Sequence, residues 1–292
     1  MVITPESLVE KLVAADVAIE SWSLLGSGDN NLALLVNNQW VYRFPLNSGA
    51  ADSQAQEVDI LRAVHGRLPV PTPNPEIVVT IPDFNWPIVA YRAIAGGILD
   101  QDEIDLLDAA QLSRLGRDLG RFMTTLHGSP RSLFGESKIR VHDNRERWDK
   151  LVDDARQFLQ PRIESSSWNR LIRKLSKTVA KIRDFEFDPV LRHGDLGFSN
   201  LLFDPAMRLT GVIDFGSAGY GDPATDIAAL IAVNGAGEVM IEKLRPAYPA
   251  VDDLVGRARI YRETFALQHA LWGAKVDDEL AVEEGLASYI GG

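Results

Sequence analysis

Four polar residues in the second half of the chain stand in an order that phosphoryl transfer can use. His193-Gly194-Asp195 is followed by Asn200, five residues after the aspartate, and then by Asp214 in Ile213-Asp214-Phe215-Gly216. Moving a γ-phosphate onto a hydroxyl asks little covalent chemistry of a protein. One carboxylate orients the hydroxyl and accepts its proton, and two oxygen ligands hold Mg²⁺ against the phosphates. An Asp, an Asn and a second Asp at a strand end supply those three groups. Taken alone, His-Gly-Asp reads as a polar turn and Ile-Asp-Phe-Gly as a strand end. Together, on either side of one hairpin, they form a phosphotransfer signal. A metallophosphatase also uses Gly-Asp and His, but needs further His, Asn and Asp ligands. The other histidines, His65, His127, His142 and His269, sit in no ligand-like motif.

Several elements must position this cluster. Thr4-Pro5 opens a short amphipathic helix carrying Leu8 and Leu12. A β-meander follows: Trp22 to Leu25, a turn over Gly26-Ser27-Gly28-Asp29-Asn30-Asn31, Leu32 to Val36, then Trp40 to Phe44 stopped by Pro45. Val58, Leu61, Val64 and Leu68 recur at helical spacing, and Glu76 to Ile81 and Trp86 to Ile94 read as two more strands. Residues 1–95 are therefore read as a small β-rich lobe, a five-stranded sheet with one inserted helix. Gly96-Gly97 breaks the chain, and residues 96–292 are read as a large α-helical lobe with one β-hairpin over Leu201 to Phe203 and Leu209 to Ile213. The predicted fold class is α+β and bilobal. Ligands favour the cleft of such a plan.

The cluster and its setting resemble the aminoglycoside phosphotransferase family, which shares the protein-kinase fold. In that family His-Gly-Asp-x-x-x-x-Asn is the catalytic loop and Ile-Asp-Phe/Trp-Gly carries the second metal ligand. The resemblance implies Asp195 as catalytic base, His193 as a brace for its loop, and Asn200 and Asp214 as Mg²⁺ ligands. It covers nearly the whole chain. Trp40-Val41-Tyr42-Arg43-Phe44-Pro45, Ala90-Tyr91-Arg92 with Gly96, and Gly211 through Pro223 look closest to the branch that phosphorylates the 2″-hydroxyl of aminoglycosides. Macrolide phosphotransferases share much of this framework. Protein kinases carry Arg where this chain has Gly194, and no Ala-Pro-Glu signature is present.

Further site residues are read on the same frame. Arg43 ends a strand where the fold usually places a phosphate-clamping Lys; Arg stays charged and can fork onto phosphate. Glu57 shares the apolar helix face of Leu61 and Val64. An inward carboxylate needs a partner, and Arg43 would supply it. Ser27 and Gly28 belong to a glycine turn whose N–H groups could cover phosphate. Tyr91, Arg92, Ala93 and Ile94 would form the hinge that bonds the purine, and Tyr91 at the gatekeeper position points by resemblance to GTP. Asp226 is read as bonding to the catalytic-loop backbone and Asp222 as a helix cap. An aminoglycoside carries several ammonium groups, so Glu238, Glu242 and Glu263 are candidate substrate carboxylates, with Trp272 a sugar-ring wall. No acidic cluster stands near Gln268-His269.

Bulk properties bound the rest. The chain has 292 residues, no cysteine and a formal net charge of −11. Disulfides, thiolate catalysis and Cys-ligated zinc are thereby excluded. The charge argues against a nucleic-acid partner and suits a cationic acceptor, although solubility alone also accounts for it. No apolar run reaches the ~18–20 residues of a membrane helix, and Met1 to Ser7 has no signal-peptide pattern. The expectation is a cytoplasmic, Mg²⁺-dependent phosphotransferase, monomeric or weakly dimeric. It would use ATP or GTP on a small-molecule hydroxyl, first an aminoglycoside. The alternatives are a macrolide or metabolite kinase, and an inactive nucleotide-binding module.

Overall fold

A computed structural model describes residues 3–28, 30–232 and 234–291. In chain order the elements begin with α1 (Pro5–Ala14), β1 (Trp22–Ser27), β2 (Asn31–Val36), β3 (Trp40–Pro45), α2 (Ser48–Val64), β4 (Ile77–Val79) and β5 (Ile88–Arg92). There follow α3 (Gln101–Asp105), α4 (Ala109–His127), α5 (Arg145–Asp154), α6 (Ser165–Arg183), β6 (Val190–Arg192), β7 (Leu201–Phe203), β8 (Leu209–Val212) and β9 (Gly219–Gly221). The chain continues as α7 (Ala224–Leu230), α8 (Val239–Leu244), α9 (Val251–Arg262), α10 (Phe265–Val276) and α11 (Glu279–Gly291). This is the α+β, kinase-like plan, with a β-rich N-terminal region and an α-helical C-terminal region. The chain divides into two compact units.

The first unit contains the chain up to Leu99, Ser129–Ile139 and Ser199–Ala218. Its antiparallel sheet has the order β1-β2-β3-β5-β4. Alternation along β3 sends Tyr42 and Phe44 to one face, where they pack with Leu8 and Leu12 of α1 and with Leu34 and Ile88. Val41 goes to the other face and packs with Val89, Tyr91 and Val58 of α2. Arg43 shares that second face by the same alternation and is buried there. A guanidinium so placed must find a carboxylate.

The β7–β8 hairpin belongs to this unit, and Gly97 bridges to Phe203. Gly96 has φ +145°, and a Cβ there would collide with Thr210 and Leu202. The break after β5 is therefore a glycine for two reasons, its backbone angle and the closeness of the hairpin.

The second unit contains Asp100–Gly128, Arg140–Phe198 and the chain from Gly219 onward. Around a short β6–β9 ladder are set α3 to α11. Val141 bridges Tyr220 in parallel, which adds a third short segment to that ladder. The stretch from Gln101 to His127 forms two helices, α3 and α4. Asp108 interrupts it by capping α4, accepting the N–H groups of Ala110 and Gln111 at 2.7 Å each.

Candidate active site

Within the first unit, Arg43 donates from Nη1 to Glu57 Oε1 at 2.6 Å. Its Nη2 lies 3.4 Å from Asp214 Oδ1. Glu57 is 3% exposed and Oε1 also accepts the Phe215 N–H at 3.1 Å. One buried carboxylate thus ties the β3 arginine to the residue after Asp214. Burial pulls the Arg43 guanidinium down, but Glu57, Tyr91 and Asp214 together outweigh this and raise it above arginine's usual range. Arg43 is therefore a fixed cation. Burial also pushes the Tyr91 hydroxyl up to about 12, against the pull of Arg43, so it stays protonated at neutral pH.

Asp214 has left-handed backbone angles, φ 60° and ψ 72°. Aspartate tolerates this conformation better than most residues, and Asp16, Asp83, Asp143 and Asp277 share a positive φ. The Asp214 side chain is half-exposed, and its Oδ1 accepts the Gly216 N–H at 3.3 Å. Asn200 is buried. Its carbonyl accepts the Ile213 N–H at 2.9 Å, extending the register in which Leu201 faces Val212. The hairpin therefore brings Asn200 beside the residue that precedes Asp214.

The hinge segment is partly committed. The Ala93 N–H donates to the Gln39 carbonyl at 2.8 Å. The Arg92 guanidinium lies 4.1 Å over the Trp40 ring and donates to Gln39 Oε1 at 3.1 Å. Ile94 packs where a Cβ on Gly211 would fall, which ties this segment to the hairpin. In the glycine turn, the Gly28 N–H donates to the Asn31 carbonyl at 3.0 Å. Asp29 and the Ser27 side chain lie outside the described residues.

Within the second unit, the catalytic-loop motif is held by one carboxylate. Asp226 accepts the His193 N–H on Oδ2 at 2.9 Å and the Gly194 N–H on Oδ1 at 2.6 Å. His127 Nε2 approaches Oδ2 to 3.1 Å, and His127 Nδ1 is 2.7 Å from the Tyr248 hydroxyl. Burial pushes the Asp226 carboxyl up. The His127 hydrogen bond and the nearby His127, His193 and Arg192 outweigh burial and hold it at about 2. It is a carboxylate at neutral pH, so His127 Nε2 must donate to it. Gly194 sits at φ +85°, open to glycine. The fully buried His193 ring accepts the Asp195 N–H on Nδ1 at 3.3 Å. Asp195 itself is exposed.

A second buried network flanks the loop. Arg192, directly before His193, donates from Nε to Asp143 Oδ2 at 2.8 Å, and both side chains are buried. Asp143 Oδ2 also accepts the Asp222 N–H at 3.2 Å. Asp222 is fully buried; it takes two hydrogen bonds from Arg257, at 2.7 and 3.0 Å, and one from the Tyr261 hydroxyl at 3.0 Å. It does turn its side chain to the Ala224 N–H at the start of α7, but the cap is one duty among four. His127, Tyr248, Asp143, Arg192, Arg257 and Tyr261 were not singled out from sequence. His127 was visible only as one of the histidines in no ligand-like motif.

The candidate substrate carboxylates are each engaged by the chain. Glu238 is held by Arg259 at 2.8 Å and Arg262 at 3.0 Å. Glu263 accepts from Thr178 at 3.1 Å, and Glu242 is exposed 3.6 Å from Lys243. Trp272 is 46% exposed and stacks on His269 with 5.9 Å between ring centroids.

The sequence profile of the "Phosphotransferase enzyme family" matches residues 21–259. The chain belongs to this family. As a phosphotransferase it is similar to viomycin phosphotransferase of Streptomyces vinaceus, 28% identical over 264 residues, which is 88% of each chain. It is also similar to aminoglycoside 3′-phosphotransferase of Escherichia coli, 27% identical over 164 residues, 55% of this chain and 57% of that one. Among solved structures, the GDP and kanamycin complex of APH(2″)-IIia superposes with a TM-score of 0.84 at 26% identity, covering 97% of this chain and 96% of that one. Macrolide 2′-phosphotransferase type I shares the fold, with a TM-score of 0.70 at 20% identity over 99% and 98% of the two chains.

Proposed function

We propose that this phosphotransferase moves the γ-phosphate of ATP or GTP to a hydroxyl of an aminoglycoside or similar amino-sugar compound, with Asp195 as base. The observation that carries the reading is the buried Arg43–Glu57 pair, 2.6 Å apart, whose arginine also faces Asp214. A fixed cation joined to a half-exposed carboxylate is what a triphosphate with a metal ion requires.

The acceptor hydroxyl attacks the γ-phosphorus. The new O–P bond forms as the β–γ bridging P–O bond breaks, and that electron pair leaves on the nucleoside diphosphate. Asp195 takes the hydroxyl proton. Arg43 neutralises phosphate charge, and Glu57 keeps its guanidinium in place. Among the described residues no group of three or more His, Cys, Asp or Glu could hold a metal. Mg²⁺ does not need one, because it binds through one or two protein oxygens together with phosphates and water. Asp214, with Asn200 fixed beside Ile213 by the hairpin, fits that demand; when bound there, the ion stabilises charge on the transferring phosphate.

A net charge of −11 favours a cationic acceptor. A second reading, another antibiotic or metabolite hydroxyl, is supported by the extent of the match to viomycin phosphotransferase, which spans 88% of the chain. The buried Tyr91 supports GTP as donor. No helix among the described residues is long and apolar enough to cross a membrane; we place the enzyme in the cytoplasm as a monomer or weak dimer. Turnover measured on aminoglycosides, viomycin, macrolides and simple metabolites, each with ATP and GTP, tests the reading. Acceptor-dependent release of nucleoside diphosphate with an aminoglycoside is expected. Nucleotide binding without turnover on any acceptor would favour an inactive binding module, and equal turnover with both nucleotides would exclude the donor preference.

A further inference from the structure

The second unit contains a cleft of about 290 Å³ between α5 and α10 whose charge runs against that of the chain. Each helix contributes one face at helical spacing. Arg147, Trp148, Leu151 and Asp154 come from α5, and Gln268, Leu271, Trp272 and Lys275 from α10, with Lys150 at the rim. Leu151, Leu271 and the two indoles make an apolar waist. Trp272 is 46% exposed, and its ring is held by stacking on His269 at 20° between planes. Such a ring is a ready platform for a flat ligand.

Most of the charged groups that line it are cationic. Arg147, Lys150 and Lys275 stand against one acid, Asp154, so the lining carries a formal excess of two positive charges (three minus one) on a chain of net −11. Lys150 and Lys275 both donate to Asp154 at 2.7 Å, and one carboxylate cannot neutralise two ammonium groups. Arg147 has one ion pair among the described residues, a loose 3.8 Å contact with Asp143 Oδ1, while Arg192 takes Oδ2 at 2.8 Å; its guanidinium also lies 5.6 Å from the centre of the Trp148 ring. The indole N–H of Trp148 is buried without a partner among the described residues. A cleft of this kind offers more cationic charge than its one carboxylate balances.

We propose that the α5–α10 cleft binds a small ring-containing molecule carrying a negative charge. The ring lies against Trp272 and the leucines, and the anion sits toward Arg147 or toward the Lys150–Lys275 end. Size supports the class. A cavity of about 150 Å³ holds one benzene ring, so this cleft admits one or two rings with an acidic substituent. The inference concerns binding alone, and it gives Trp272, read from sequence as a sugar-ring wall, to the anionic ring instead.

The test uses three probes with one ring and three charges: phenylacetate, 2-phenylethanol and phenethylamine. Each is titrated into the full-length protein by calorimetry. Phenylacetate is expected to bind at least about fivefold more tightly than phenethylamine, the factor that ~1 kcal/mol of charge interaction gives. Arg147→Gln combined with Lys275→Gln, both at solvent-accessible side chains, is expected to abolish that preference, and Trp272→Ala to weaken the binding of all three probes. Equal or tighter binding of phenethylamine, no heat with any probe, or an unchanged preference in the double variant would each overturn the proposal.

Discussion

The Asp226 carboxylate accepts the Gly194 N–H at 2.6 Å, while its other oxygen takes the His193 N–H at 2.9 Å. Two successive amides of the His-Gly-Asp motif are thus fixed by a residue 33 and 32 positions away in sequence. Asp195, the next residue, is left at the surface. The aspartate that positions the motif is buried and charged at neutral pH; the aspartate within the motif is exposed.

Asp226→Asn puts an NH₂ group where two amides and a histidine N–H converge. One donor must then face another donor, a cost of about 1–3 kcal/mol for an unsatisfied buried group. Steady-state kinetics should show kcat reduced by about ten- to a hundredfold with the nucleotide KM little changed, because the loop is misplaced while Arg43 is not.

The same carboxylate sets an acid limit on stability. Its folded value of about 2 lies below the ordinary 3.8, so its contribution is present above about pH 4 and is lost as the pH falls toward about 2. The contribution is about 2 kcal/mol. Denaturant unfolding of wild type and Asp226→Asn between pH 2 and 6 should show the wild-type advantage shrinking as the pH falls through that window. An advantage that does not change with pH would remove this linkage.

Arg43→Lys keeps the charge and loses the fork that serves Glu57 and Asp214 together. The nucleotide KM should rise about tenfold, with the acceptor KM unchanged. Initial rates at varied nucleotide and fixed acceptor, then the reverse, separate the two.

Gly221→Ala tests the buried network beside the loop. A Cβ at Gly221 would fall onto Asp143 Oδ2 and Arg192 Nε, and neither side chain is free to yield because they bond each other at 2.8 Å. Thermal unfolding should show a loss of about 1–3 kcal/mol, the usual cost of overpacking.

What the sequence made legible was local. The three phosphotransfer groups lie within 20 residues, on either side of a hairpin whose turn is marked by Asp204-Pro205. Helical spacing turned Glu57 inward, and an inward carboxylate demanded a cation. Asp222 was read as a cap because the cap partner is two residues away; Arg257 and Tyr261 are 35 and 39 away. The same distance hid Asp143–Arg192, separated by 49, and His127–Tyr248, separated by 121. Such pairs leave no periodicity, since each partner sits on its own helix or loop. The acids nominated for a cationic acceptor show the converse. Glu238 looks available in sequence, yet Arg259 and Arg262, both in the last turn of α9, reach onto it.

The central claim is that Asp195 takes the acceptor proton on a loop built to hold it. Asp195→Ala truncates an exposed side chain, so fold and nucleotide binding should persist. Acceptor-dependent nucleoside diphosphate release, measured beside nucleotide affinity on the same preparation, decides it. A fall of at least about 10²–10⁴-fold in turnover at unchanged nucleotide affinity is expected; turnover equal to wild type at that affinity would contradict the account.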